Sequence, residues 1–214
     1  MGWRWGCSQV RLLPKSLVPR SLRRRAKDQG EARERWRHFV EKSLRCVEPD
    51  IHLRVGPSPR GSEGLNSLFQ AGEPGAPIHL TTKSGSPLYL SFEQSGEVVP
   101  DPRFRREYKI STRSYAYALR YPEPTSEPLI QWHWHPGLSP DWPEPHIHVS
   151  IPDPLAKGTK LHIPTGSRVT IEQVLSFLIR DWEVVPTDDW REVIAETQLR
   201  FDTFQTQDQR RQPE

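Results

Sequence analysis

Apolar residues recur at helical spacing in three stretches of the chain and alternate with polar ones in several others. Trp36, Phe39, Val40, Leu44 and Val47 form one stripe, which predicts a first helix over residues 31–47 that Pro49 ends. Thr170-Ile171-Glu172-Gln173 has the form of a capping box, with Val169 placed to staple onto Val174. Behind it Ile171, Val174, Leu175, Leu178, Ile179 and Trp182 share one face. Pro186 then interrupts the chain. A last helix carries Trp190, Val193, Ile194, Phe201 and Phe204, with Asp188 and Asp189 at its positive end.

Strand patterns lie between these helices. Ile51, Leu53 and Val55 alternate, followed by a loop rich in Gly, Pro and Ser. Residues 78–82 and 87–93 read as a hairpin around Ser84-Gly85, residues 105–110 as a weak strand and 114–121 as a stronger one. Residues 128–135, 146–151 and a short edge strand at 161–163 complete the set, and prolines flank these strands without interrupting them. This order predicts an α+β fold: an antiparallel sheet with two C-terminal helices packed on one face and a histidine-bearing hairpin near its centre. Residues 31–205 form the expected single domain, after a basic, disordered arm at 1–30 and before a polar tail at 206–214.

Composition narrows the class. The hydrophobic fraction is low at 34%, yet eight Trp supply enough apolar area for a packed core. No apolar run approaches the roughly 20 residues of a membrane-spanning helix. Two cysteines, Cys7 and Cys46, are too few for a disulfide framework, which favours a reducing, cytoplasmic setting. Residues 1–27 carry eight basic residues (Arg4, Arg11, Lys15, Arg20, Arg23, Arg24, Arg25, Lys27) and no acid, leaving 22 basic against 27 acidic residues elsewhere. Such an arm suits a polyanion, an organelle-targeting segment or an ordinary solvated terminus.

Four of the eight histidines fall between 133 and 148. Strand alternation puts His133 and His135 on one face and Trp132 and Trp134 on the other, and likewise separates His146, His148 and Ser150 from Ile147, Val149 and Ile151. Pairing His135 with His146 and His133 with His148 gathers the apolar set beneath the 171–182 helix and all four imidazoles on the opposite face.

Several chemistries fit. His133, His135, His146 and His148 can hold zinc or another transition metal, with Asp141 or Glu144 as an added ligand. Without any cofactor, His148 as general base and His146 as general acid can cleave RNA through its 2′-hydroxyl. His133 and His135 then orient the phosphate, and Arg120 stabilises the pentacoordinate charge. Ile147-His148-Val149-Ser150 and Ile78-His79-Leu80-Thr81 are similar to the paired tetrapeptides of two-histidine phosphoesterases. Two other patterns fail at defined positions. The JAMM deubiquitinase pattern would need Ser and Asp where Pro143 and His146 stand, and the histidine-triad hydrolases would need His at Ser150. Exposed strand histidines with ordinary hydrogen bonds are the plain alternative.

Ser114-Tyr-Ala-Tyr-Ala-Leu-Arg-Tyr121, Pro145-His-Ile-His148 and the helix opening Ile171-Glu172-Gln173-Val174-Leu175 together resemble the TumE family of bacterial toxin–antitoxin toxins. The resemblance spans residues 114–183. The Asp-Asn pair of that family's middle strand is replaced by Trp132-His133-Trp134-His135-Pro136. The resemblance implies an RNA-directed toxin neutralised by a DNA-binding antitoxin, with His146 and His148 as the matching site residues. The leading expectation is thus an RNA-directed phosphodiesterase. A metal-dependent hydrolase and a non-enzymatic module that binds metal or a partner are the alternatives.

Overall fold

The computed structural model describes residues 26–57, 66–71, 77–101, 107–136, 142–150 and 160–205. The elements run α1 (Gln29–Leu44), β1 (Leu53–Pro57), β2 (Asn66–Ala71), β3 (Ile78–Leu80), β4 (Leu88–Pro100), β5 (Tyr108–Arg120), β6 (Pro128–Trp134), β7 (His146–Ser150), β8 (Lys160–Pro164), α2 (Ile171–Asp181) and α3 (Trp190–Gln205). All eight strands join one antiparallel sheet in the order β1-β2-β4-β5-β6-β7-β8, with β3 also paired to β4. This is the expected α+β architecture, with α1 as well as the two C-terminal helices contributing to the core. The histidine hairpin lies towards one edge of the sheet and not near its centre as expected, with only β8 outside it among the described residues.

Period-two alternation divides the sheet into two faces. Leu90 and Phe92 of β4, Tyr115, Tyr117 and Leu119 of β5 and Trp132 of β6 pack in one core with Phe39, Val40 and Leu44 of α1 and Val174, Leu175 and Leu178 of α2. Phe92 of β4 stacks on Tyr117 of β5 at 5.3 Å, and Tyr117 on Tyr115 of the same strand at 4.9 Å, so an aromatic row lines β4 and β5 beneath the helices. Trp132 meets Phe177 of α2 edge-on at 6.0 Å, which places the apolar side of the hairpin under that helix, as its alternation predicts.

The capping box at α2 is complete. Thr170 Oγ1 accepts from the Gln173 N–H, and Gln173 Oε1 accepts from the Thr170 N–H. α1 starts at Gln29, two residues before the expected start, and Asp28 caps it by accepting from the Glu31 N–H. Ala26 accepts from the Tyr108 N–H at 3.1 Å, so the ordered body begins before residue 31. Residues 1–25 of the expected arm lie outside the described residues.

Three strand expectations change. Residues 66–71, inside the expected loop, form β2, whose only large apolar residue on the core face is Phe69. The two candidate strands at 105–110 and 114–121 are one 13-residue strand, β5. β4 continues past residue 93 through a bulge at Ser95/Gly96. There the buried Gln94 amide donates to Thr112 Oγ1 at 2.7 Å, so a polar stretch still pairs inside the sheet. No helix among the described residues is long and apolar enough to cross a membrane.

Candidate metal centre

β6 and β7 bring the histidines together, in a register two residues away from the expected one. His133 pairs with His146, Trp132 with Ile147, Gln131 with His148 and Ile130 with Val149. A slip of two residues preserves the faces, so His133, His146 and His148 still share the side away from the helices. His135 falls beyond the end of β6, with its ring 5.3 Å from His133 and edge-on to it.

β8 supplies an imidazole that sequence reasoning did not single out. His162 pairs with His148, and their ring centroids are 4.2 Å apart. His162 is flanked by Leu161 and Ile163, the same alternation that marks His148 between Ile147 and Val149, so the signal was present in the sequence. On its other side the indole of Trp142 lies nearly parallel to the His162 ring, at 4.9 Å and 11°.

His133, His146 and His148 each present a nitrogen, and these three atoms lie within 4.8 Å of one another. The ring centroids are 4.7 Å apart for His133–His148, 4.8 Å for His146–His148 and 6.1 Å for His133–His146. A tetrahedral ion at about 2.0–2.1 Å from each nitrogen would hold imidazole centroids about 5.2 Å apart. The centroid spacings are within about 1 Å of that value, while the nitrogens, up to 4.8 Å apart, would draw together towards the roughly 3.3 Å of a tetrahedral set on binding. His146 is only 6% exposed, and its Nδ1 lies 2.7 Å from the Glu144 carbonyl oxygen. A carbonyl can only accept, so Nδ1 carries the hydrogen and Nε2 keeps the lone pair needed to bind a metal. Glu144 thus serves the cluster through its backbone. Asp141, the other expected carboxylate, lies outside the described residues.

The remaining candidates lie elsewhere. Arg120 is on β5, which does adjoin the hairpin, but its guanidinium donates to Ser91 Oγ of β4 at 2.5 Å, on the far side from the imidazoles. His79 of β3 lies against Tyr89, with the two rings tilted at 55° and 5.3 Å apart. Strands β4, β5 and β6 separate it from β7, a span of about 19 Å at normal strand spacing. The two tetrapeptides therefore do not converge as a two-histidine phosphoesterase would require.

Beneath the hairpin, burial pushes the Tyr115 hydroxyl up to about 12, partly offset by the Val169 N–H that donates to it at 2.8 Å. The Arg168 guanidinium lies 3.7 Å from the ring centre of Trp134. These contacts fix the β5–β6 floor on which His133 stands. Searches against protein families, curated proteins and solved structures found none that matches this chain.

Proposed function

We propose that this protein is a metal-dependent hydrolase whose centre is formed by His133, His146 and His148, with zinc as the resident ion and RNA as the substrate class. The observation that carries the reading is the convergence of three imidazole nitrogens within 4.8 Å on adjacent strands. An all-imidazole donor set suits zinc, copper, nickel or iron and disfavours magnesium or calcium, which take oxygen ligands. Three protein ligands leave a further coordination position for water or substrate, as in catalytic zinc sites. Bound there, the ion would supply Lewis acidity and an activated water. The chain's part is to hold three rings on a rigid sheet and to fix the tautomer of His146 through the Glu144 carbonyl.

Burial supports this reading over metal-free acid–base cleavage. A general acid must reach the leaving oxygen, but His146 is 6% exposed with one nitrogen committed to a backbone carbonyl. That environment suits a ligand better than a proton donor to a polymer. Direction towards RNA rests on the sequence: the acid-free basic run at 1–27 and the TumE resemblance favour the same polyanion. The toxin role, with an antitoxin partner, follows from that resemblance alone.

The test is cleavage of labelled single-stranded RNA by untagged protein, with EDTA, with zinc restored, and beside His148→Ala. Loss in EDTA, recovery with zinc and inactivity of the variant are expected. Cutting that survives EDTA but is lost in the variant would return the assignment to acid–base chemistry. Zinc-loaded protein inert towards RNA would favour a binding module.

A further inference from the structure

We propose that His162 is a fourth, exchangeable ligand of the same centre, which swings between a stack on Trp142 and the open position and gives way when a small ligand enters. This rests on the metal reading above and adds a gate to it.

The geometry has three parts. First, the β7–β8 register sets His162 directly across from His148, on the histidine face. Second, its ring centroid lies 4.2 Å from that of His148 and 5.7 Å from that of His146, bracketing the roughly 5.2 Å expected between imidazoles on one tetrahedral ion. Its ring thus stands near coordinating spacing from two of the three ligands, His148 and His146. Third, its donor atoms fall outside the group of three, and its ring instead lies parallel to Trp142 at 4.9 Å.

Stacking on Trp142 is therefore a parked position. Rotation about the side-chain torsions of His162 would swing its ring from that stack towards the other three imidazoles, while the ladder to β7 holds its backbone in place. An aromatic stack contributes about 0.5–1.5 kcal/mol, small enough for an incoming ligand to shift the balance either way. In the exchange, a lone pair on a His162 nitrogen replaces the lone pair of the departing water or anion. No proton or electron need move between protein and metal.

The experiment uses full-length cobalt(II)-loaded protein titrated with azide, followed by visible absorption, together with cobalt affinity. In His162→Ala the position stands open, so azide binds at least about tenfold tighter and cobalt at least about tenfold weaker, a shift of the size seen on removing groups that support a metal site. Trp142→Ala frees the ring to coordinate, so azide binds weaker than in wild type. Trp142 is 38% exposed, so its removal leaves the core intact. Equal azide and cobalt affinities in wild type and His162→Ala would overturn the fourth-ligand role while leaving the three-histidine centre standing. Wild-type protein that binds no cobalt would overturn both.

Discussion

His133 and His146 face each other as a directly paired couple across β6 and β7, with ring centroids 6.1 Å apart. His148, two residues along β7, closes the triangle at 4.7 Å from His133 and 4.8 Å from His146. One residue on one strand and two on its neighbour thus define a site of minimal sequence span, held by ladder hydrogen bonds and not by a loop. Rigid elements of this kind position ligands more closely than loops can.

Removal of any one of these three imidazoles should therefore be severe. His133→Ala, His146→Ala and His148→Ala are each expected to weaken zinc binding by at least about 100-fold in a competition titration against a chromophoric chelator. His135→Ala, whose ring lies beyond the strand end, should cost less than about tenfold. Equal losses at all four positions would contradict the assignment of His135 outside the ligand set.

The faces of the hairpin were legible in the sequence because strand alternation has a period of two whatever the pairing. Trp132 and Ile147 on one side and His133, His146 and His148 on the other follow from that alone. The register was not legible. A two-residue slip leaves every face unchanged, and the Pro-rich connection between β6 and β7 does not fix a turn type. β2 was hidden for another reason: Ser67 and Gln70 dilute its pattern, and Phe69 is its one large side chain in the core, beside the small Ala71. The capping box at Thr170 and the apolar face behind it were readable because their signals are local.

The floor of the site depends on Tyr115. Its hydroxyl accepts from the Val169 N–H at 2.8 Å, just ahead of the α2 cap. Tyr115→Phe leaves that donor without its partner and should cost about 1–2 kcal/mol in urea unfolding. The midpoint of thermal unfolding should fall by about 2–4 °C for each kcal/mol, with zinc stoichiometry unchanged. Stability equal to wild type would show that this hydrogen bond does not hold α2 to the sheet.

Glu172 makes stability depend on pH. It is 1% exposed among α1, α2 and α3, and Ser43 Oγ donates to its Oε1 at 2.7 Å. Burial raises its pKa above the ordinary carboxyl value, with the Ser43 bond opposing in part. A carboxyl raised in the folded state contributes stability that is complete below its unfolded value, about 4.3, and is lost as pH rises through the folded value. The stability of wild type relative to Glu172→Gln should therefore decline as pH is raised from about 4 to about 8 in paired urea titrations. A difference that does not change with pH would contradict the burial of an ionisable carboxyl there.

Gly96 sits at the β4 bulge with no room for a side chain, since a Cβ there would run into Cγ2 of Ile110 on β5. Gly96→Ala should destabilise by about 1–3 kcal/mol through overpacking. Combining it with Ile110→Ala, which removes that methyl, should give a smaller loss than the two single changes added together. Strict additivity would place the cause elsewhere.

Counting the metal tests whether a zinc centre stands on the open face of the sheet. Untagged wild-type protein is loaded with zinc, dialysed against zinc-free buffer and assayed beside a His133→Ala/His148→Ala double variant of matched thermal stability. About one tightly held zinc per wild-type chain and almost none in the variant are expected. Wild-type protein that loses its zinc on dialysis, or a variant that retains as much, would contradict that centre.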